Sequence, residues 1–163
     1  MAIDVYLQLD GIRGESADGE HPGWIECASV NWKLHQPRSA TASTAGGHTA
    51  ERAELSEVAF TKLCDLASPL LAQHCAMGRT IPKARFEFFR ADGQGTRVKY
   101  YEVELDNVVI GDVAQSVAAG IGMLDHVGLK FSRVRWRYTQ QRIAGGAGGN
   151  TAGGWDLATN RVA

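Results

Sequence analysis

The side chains best suited to catalysis or metal binding in this chain are its histidines, which are scattered along it. The five are His21, His35, His48, His74 and His126. The motifs HExxH, GxSxG and GxxxxGK[ST], which build metalloprotease, nucleophile-elbow and phosphate-loop sites, do not occur. His74 is expected beside an apolar helix face, where a hydrogen-bonded histidine is favoured over a ligand or base. The sequence therefore predicts no catalytic residue, no metal site and no cofactor.

The cysteines do not form a recognisable site either. Cys27, Cys64 and Cys75 are an odd set without CxxC spacing, and two of them fall in a helical stretch. Buried thiols are the favoured interpretation, over a disulfide or a metal site.

Two charge stripes are the first pattern that points to function. Glu102, Glu104 and Asp106 alternate along one segment. Arg133, Arg135 and Arg137 alternate along another. They could form a cross-strand ladder within one chain, or complementary surfaces between copies of the chain. The sequence leaves both interpretations open.

Composition limits the class of protein. A chain of 163 residues with a formal net charge of −1 fits one domain and lacks the basic excess of a nucleic-acid binder. We expect no membrane span and no signal peptide, because the chain has neither an 18-residue apolar run nor a basic-then-apolar start. The sequence therefore predicts a protein that folds in the cytoplasm.

Only one stretch indicates a helix, Thr61 to Gly78. Ser68 is a suitable N-cap, Pro69 suits the first turn, and Gly78 is a C-terminal stop. Leu71, His74 and Cys75 share one face, so we expect the helix to pack as part of the core, with Leu63 and Leu66 forming a further turn.

The rest of the chain before the helix indicates strands and loops. Ile3 to Leu9 alternates as a half-buried strand, and residues 24–34 change phase near Ala28, which predicts a bulge. Residues 36–51 contain no apolar side chain larger than alanine and are expected to form a long protruding loop.

After the helix, a hairpin is predicted around ADGQGT at residues 91–96. Residues 111–126 are expected to be loop, and residues 127–138 a last long strand with a bulge at Ser132 and Arg133. We expect the domain to end at residue 143. Residues 144–163 are expected to be a glycine linker and a tail that docks on the barrel or on a neighbour.

With the chain laid out, it resembles the Hcp family (haemolysin-coregulated protein) of the type VI secretion system over essentially its whole length. The segments that carry the resemblance are MAIDVYLQL at the start, IRGES at residues 12–16 (the family's (I/V)xGES turn), the small residues near Gly46 and Gly47, FTK at residues 60–62, SP at residues 68–69, and GW at residues 154–155 leading to Asn160, Val162 and Ala163. Their order and spacing make the match specific.

The resemblance implies a mainly β fold, a compact barrel of two antiparallel sheets with one helix alongside. It also implies a homohexameric ring that stacks into the inner tube of the secretion system. The implied partners are a VgrG-type spike, the contractile sheath and baseplate proteins, and secreted effectors held in the lumen. Such a protein resides in the bacterial cytoplasm before it is expelled.

The resemblance also places individual residues. Asn31 would face the ring lumen and contact effectors, and Ala45, Gly46, Gly47 and His48 would lie against the neighbouring ring. The charge stripes and the tail, rather than the resemblance, supply the subunit-interface candidates Glu102, Glu104, Arg133, Arg135, Arg137 and Trp155. Two alternatives remain: a small ligand-binding barrel or enzyme with a pocket near His74 and Cys75, and a monomeric adaptor that binds through its tail.

Overall fold

The computed structural model describes residues 3–37 and 51–163, and most of the regular structure in them is antiparallel β-strand. In chain order the elements are β1 Ile3–Leu9, β2 Ile25–Cys27, β3 Ser29–Asn31, β4 Leu34–His35, β5 Glu54–Leu55, β6 Val58–Leu63, α1 Ser68–Met77, β7 Thr80–Ala91, β8 Arg97–Ala118, β9 Gly122–Lys130, β10 Arg133–Gln141, β11 Ala147–Asp156 and β12 Arg161–Val162.

The strands form a ten-stranded sheet and a separate two-stranded pair, β4 with β5. The main path of the large sheet is β12-β11-β10-β8-β7-β1-β2, and β9, β6 and β3 continue from the second half of β8. The ladder is interrupted at Ala28, whose N–H donates to the Thr61 carbonyl at 2.7 Å. The predicted mainly β fold with one helix is confirmed in the described residues, although their strands do not form a closed barrel.

The core lies where the two halves of the sheet face each other. Leu7 on β1 follows the predicted alternation, and it packs with Phe60, Phe86 and Leu105, which are also buried. Because alternate side chains of a strand point to opposite faces, each of these strands keeps one face in the core and one face outside.

The helix begins later than predicted and is less buried. Val58, Phe60 and Lys62 alternate inward on β6, so Thr61 to Leu63 is strand. Ala67 occupies the N-cap position, and Gly78 ends the helix with a φ of 63° as expected. Leu71 is buried, whereas Met77 is 52% exposed, so the helix covers the core from one side. Within the described residues, no helix has the length and apolarity needed to cross a membrane.

The prediction of loop for residues 111–126 was wrong. Strand β8 continues to Ala118 and pairs with β9 from Ala118↔Gly122 to Val109↔Lys130. The predicted long strand 127–138 is divided into β9 and β10 at residues 131–132, next to the predicted bulge. The register on β8 continues across this break. Strands β8, β9 and β10 therefore form one long hairpin.

The glycine-rich segment that was predicted to be a linker is strand β11. It pairs along β10 from Arg133↔Asp156 to Gln141↔Ala147. The tail does not reach a distant site, since β12 pairs with the end of the same strand through Trp155↔Val162. Glycine has a weak preference for strands, so this strand depends on the pairing that β10 offers.

The predicted hairpin between β7 and β8 is confirmed. The Asp92 N–H donates to the Thr96 carbonyl at 2.7 Å, and Gly95 has a φ of 79°. The Asp92 carboxylate accepts from the N–H groups of Gln94 and Thr96, each at 2.8 Å. The turn is therefore formed by the Asp and Gly residues from which the hairpin was predicted.

Candidate assembly surfaces

One face of strands β3, β6, β9 and the second half of β8 points away from the core. We call it the small-residue face. Its rows follow from the strand register: Asn31, Ala59, Gly128 and Asp112 in one row, Ser29, Thr61, His126 and Ala114 in the next, and Leu63, Leu124 and Ser116 in the third. The second and third rows carry no charge when His126 is neutral. Asn31, predicted to face a lumen, is exposed on this face.

Among residues 3–37 and 51–163, both sides of this four-stranded sheet end in an unpaired strand edge. Residues 110–118 of β8 pair with β9, but β7 reaches only to Val109 on the other side. Strand β3 pairs with β6 alone among the described residues. Unpaired edges are templates for pairing with another chain unless a protein blocks or covers them. This arrangement suits a subunit that continues its sheet into a neighbour.

The charge stripes meet within one chain. Strand β10 pairs with β8 in the register Arg133↔Asp106, Arg135↔Glu104 and Arg137↔Glu102. Arg135 donates to Glu104 at 2.7 Å, and Lys83 reaches the same carboxylate at 3.2 Å. Partial burial would raise the pKa of Glu104, but Lys83 and the two arginines Arg135 and Arg85 outweigh it and lower that pKa.

The ion pairs between β8 and β10 explain the two charge stripes within a single chain, without a second subunit. A role of these residues in a subunit interface therefore stays a prediction. Arg137 and Glu102 are register partners at the open end of the stripes, and Arg137 is exposed. Trp155, another predicted interface residue, is half-buried on β11, and its buried indole N–H finds no acceptor among the described residues. The predicted inter-ring residues Ala45, Gly46, Gly47 and His48 lie outside the described residues.

The pocket alternative depended on His74 and Cys75. Both are half-buried, and the His74 ring is within 2.8 Å of the Leu70 carbonyl oxygen one turn earlier. Within residues 3–37 and 51–163, His, Cys, Asp and Glu side chains nowhere gather into a group that could hold a metal ion. The structure therefore adds nothing in favour of catalysis at this place.

A buried charged cluster surrounds His21 in the loop of residues 10–23, and no sequence pattern predicted it. The two ring nitrogens of His21 lie 2.6 Å from Asp18 and 2.8 Å from Glu87. The ring stacks on Tyr6 with a centroid distance of 4.4 Å. Arg97 adds a contact of 2.5 Å to Asp18. This cluster fastens the loop to β1 and β7, and the alternation of polar and apolar residues gives no sign of it.

The cluster predicts a dependence of stability on pH. The hydrogen bond with His21, helped by Arg97, lowers the pKa of Asp18 from its ordinary 3.8 to about 2. The folded state thus favours the ionised carboxylate, which stabilises the fold fully above the unfolded pKa and less as the pH falls towards about 2. We expect Asp18→Asn to lower the melting temperature at neutral pH, and the difference from wild type to shrink between these two values.

Thermal melts at closely spaced acidic pH values measure this difference. Glu20→Gln is the control, because Glu20 is an exposed carboxylate in the same loop. A difference between Asp18→Asn and wild type that stays constant with pH would contradict the assignment.

A second buried cluster joins the helix to the inner face of strands β6 and β9. Lys62 is completely buried and donates to Asp65 at 2.6 Å and to Ser68 at 2.9 Å. Its ammonium lies 2.9 Å from Asp125, which also accepts hydrogen bonds from Ser68 and Gln115. Burial would raise the pKa of Asp125, but these hydrogen bonds and the Lys62 charge outweigh it and lower that pKa. Ser68, expected to cap the helix, is used in this network instead.

The sequence of this chain is similar to those of known proteins. The family described as "Type VI secretion system effector, Hcp" matches residues 6–138. The chain is 28% identical to "Protein hcp1" of Pseudomonas aeruginosa, covering 98% of each chain. It is 25% identical to the "Major exported protein" of the same organism, covering 89% of this chain and 94% of that one.

Solved structures agree with this match. A structure titled "Structure of a type six secretion system protein" superposes with a TM-score of 0.92 at 28% identity, covering 99% of this chain and 100% of that chain. The crystal structure of Hcp1 from Salmonella typhimurium gives a TM-score of 0.80 at 28% identity, with both chains covered completely.

Proposed function

The chain belongs to the Hcp family, the tube proteins of the type VI secretion system, and from this we propose that six copies form a ring and that rings stack into the inner tube. Members of the family are secreted through that system. In the proposal the protein has no catalytic step of its own. It assembles in the bacterial cytoplasm and is then expelled with its cargo.

The observation that carries the ring is the pair of unpaired strand edges on the small-residue face. The edge of β8 at residues 110–118 and the edge of β3 lie on opposite sides of one four-stranded sheet. A contact between two different edges is heterologous, so it repeats around an axis and closes into a ring when the rotation fits. Closure leaves no edge free for aggregation.

In such a ring the small-residue face lines the lumen. Asn31 then lies at the lumen wall, in contact with effectors, in the row beside Ser29 and Thr61. The rows without charge offer a passing polypeptide no strong ion pair, which suits carriage and release. The charge ladder and Trp155 remain candidates for contacts between subunits, because Arg137 is exposed and the Trp155 indole N–H has no acceptor in the described part of the chain.

Proposed partners follow from the tube. One end of the stack carries a VgrG-type spike, the sheath and baseplate proteins surround and seat it, and effectors occupy the lumen. These assignments extend the family's role in secretion to this chain.

The ring is tested by the mass of the purified protein, from light scattering after gel filtration at several concentrations. We expect a mass near six chains, and an open centre by electron microscopy. A stable monomer at every concentration would overturn the ring.

The lumen is tested by labelling Asn31→Cys in a Cys64→Ser background. A small maleimide should label this cysteine in the ring. A maleimide on a long polyethylene glycol chain should label it many times more slowly than it labels Thr151→Cys on β11.

A further inference from the structure

The large sheet has an open edge along most of β11. Strand β10 pairs with β11 from end to end, whereas on the other side β12 pairs only with Trp155 and Asp156. The Ala163 N–H adds one bond to the Gly154 carbonyl at 3.2 Å. In the described part of the chain, residues 147–153 therefore pair on one side only. We call these residues the β11 edge.

The β11 edge carries neither of two features that often protect a free edge. Proteins block such edges with lysine or proline, because the unpaired backbone N–H and C=O groups can bind another strand. The sequence AGGNTAG at residues 147–153 has no charge and no proline, and residues 149–153 are all exposed. The register with β10 shifts only before Asn150, so the ladder is regular from Asn150 to Gly153. This stretch can accept a further strand.

Two glycines of the β11 edge are not required by the fold. A Cβ atom on Gly149 or Gly153 would have nothing within 4 Å beyond its chain neighbours, and neither residue has a positive φ. Glycine inside a strand weakens it and often marks a place where another backbone approaches closely. Both glycines therefore suit a contact with a second chain.

The outer face beside the β11 edge offers an unpaired cation. A groove of about 250 Å³ lies there, and its two acidic side chains are already neutralised. Glu102 accepts from Lys99 at 2.8 Å, and Glu104 accepts from Arg135 at 2.7 Å. Arg137, which also lines the groove, is exposed and forms no ion pair with the described residues. This face therefore favours an acidic side chain.

The inner face beside the β11 edge is apolar. Trp136 lies opposite Gly153, which has no side chain to cover it, and Tyr138 lies opposite Thr151. Tyr138 is exposed, as is Val162 on β12. Because alternate residues of a strand point to opposite faces, a strand added here would present every second side chain to these aromatic rings.

We propose that the β11 edge is a docking site for an extended segment of a partner protein in which acidic and apolar residues alternate. The segment adds an antiparallel strand to the large sheet, so that main-chain hydrogen bonds give affinity and alternate side chains give specificity. An acidic residue opposite Ala152 lies two strand spacings, about 9–10 Å, from the backbone of Arg137, a distance that the arginine side chain spans. An apolar residue opposite Gly153 packs on Trp136.

This inference goes beyond the proposed tube. A ring that closes through the small-residue face pairs the two edges of that four-stranded sheet, and it leaves the β11 edge of the large sheet open to a different protein. The docking site therefore does not depend on the ring.

Hydrogen–deuterium exchange measures the added pairing directly. The probe is a short synthetic peptide in which valine and glutamate alternate, blocked at both ends. At saturating peptide we expect the amides of residues 147–153 to exchange at least about tenfold more slowly, because a hydrogen-bonded amide exchanges only when its bond opens. The amides of the turn at residues 91–96 should not change. The same peptide with proline at its central valine should give no protection, because proline lacks the N–H.

Charge reversal tests the role of Arg137. Arg137→Glu should weaken binding of the acidic peptide at least about fivefold, the upper range for an exposed ion pair. The same variant should bind a peptide with lysine in place of glutamate more tightly than wild type does. Arg79→Glu is the control, because Arg79 is an exposed cation just after the helix. All variants should keep the wild-type melting temperature within a few degrees, since both side chains are exposed.

The other results overturn the proposal. Amides of residues 147–153 that already exchange slowly without peptide would show that the edge is covered. Protection that rises with protein concentration alone would assign the edge to a second copy of the chain. A peptide that binds without protecting these amides, or that binds Arg137→Glu and Arg79→Glu equally, would contradict the docking site. Light scattering on the same samples reports the ring separately, so failure of the ring and failure of the docking site are distinguished.

Discussion

Replacing Lys62 by methionine is expected to lower the free energy of unfolding by about 3–5 kcal/mol, the cost of removing one partner from a buried ion pair. The ammonium is completely buried and lies 2.9 Å from Asp125. Methionine fills a similar volume but leaves the Asp125 carboxylate buried beside Ser68 without its cation. The loss is measured by urea unfolding at fixed protein concentration, because assembly would make stability depend on concentration.

Lys83→Met is the matched control. Lys83 also sits in an ion pair, 3.2 Å from Glu104, but its side chain is 54% exposed. Exposed pairs contribute at most about 1 kcal/mol. Adding Asp125→Asn to Lys62→Met should recover part of the loss, since it removes the stranded charge. Equal losses in the free energy of unfolding for Lys62→Met and Lys83→Met would contradict the assignment of a large stabilising role to the buried ion pair.

Lys62 also explains why the helix was predicted to begin at Thr61 and not at Ser68. Val58, Phe60 and Lys62 alternate inward on β6, but a lysine at the third inward position hides the strand period. Its charge is tolerated there only because Asp65 and Asp125 are both in contact with it. That contact joins residues far apart in the chain, and hydrophobic patterning cannot foresee it.

Two further errors have one physical cause. Residues 111–126 and 144–156 are rich in Gly, Ala, Ser and Thr, and such residues carry little apolar periodicity. Both segments form strands because a neighbour pairs with them: β9 along the end of β8, and β10 along β11. Strand structure that depends on pairing is not encoded in the local pattern.

What could be predicted was local or belonged to the family. The alternation of β1, the hairpin at Asp92 to Thr96 and the stop at Gly78 each depend on residues within a few positions. Asn31 is exposed, and its place at the ring lumen, which the resemblance implies, stays a prediction. The buried cluster at His21 could not be predicted, because it brings together Asp18, Glu87 and Arg97 from three separate segments.

The turn at residues 12–16 shows how a motif residue becomes indispensable. The Gly14 N–H donates to the Gly23 carbonyl at 2.9 Å, and the Ser16 N–H donates to the Trp24 carbonyl at 3.0 Å. A Cβ atom on Gly14 would lie 2.6 Å from the Trp24 carbonyl oxygen and 2.8 Å from the Ile25 Cα. Both contacts are with backbone, so no side-chain rotation relieves them.

Gly14→Ala is therefore expected to cost about 1–3 kcal/mol or more, as for overpacking of a close contact. The shift would also pull on the loop that holds His21 against Tyr6, so we expect the melting temperature and the tertiary circular-dichroism signal to fall together. Gly19→Ala is the control from the same loop, because nothing lies within 4 Å of its added Cβ. If Gly14→Ala has the same melting temperature as Gly19→Ala and wild type, the close approach at Trp24 is not the reason that this position needs glycine. Another property of the IRGES turn would then have to explain it.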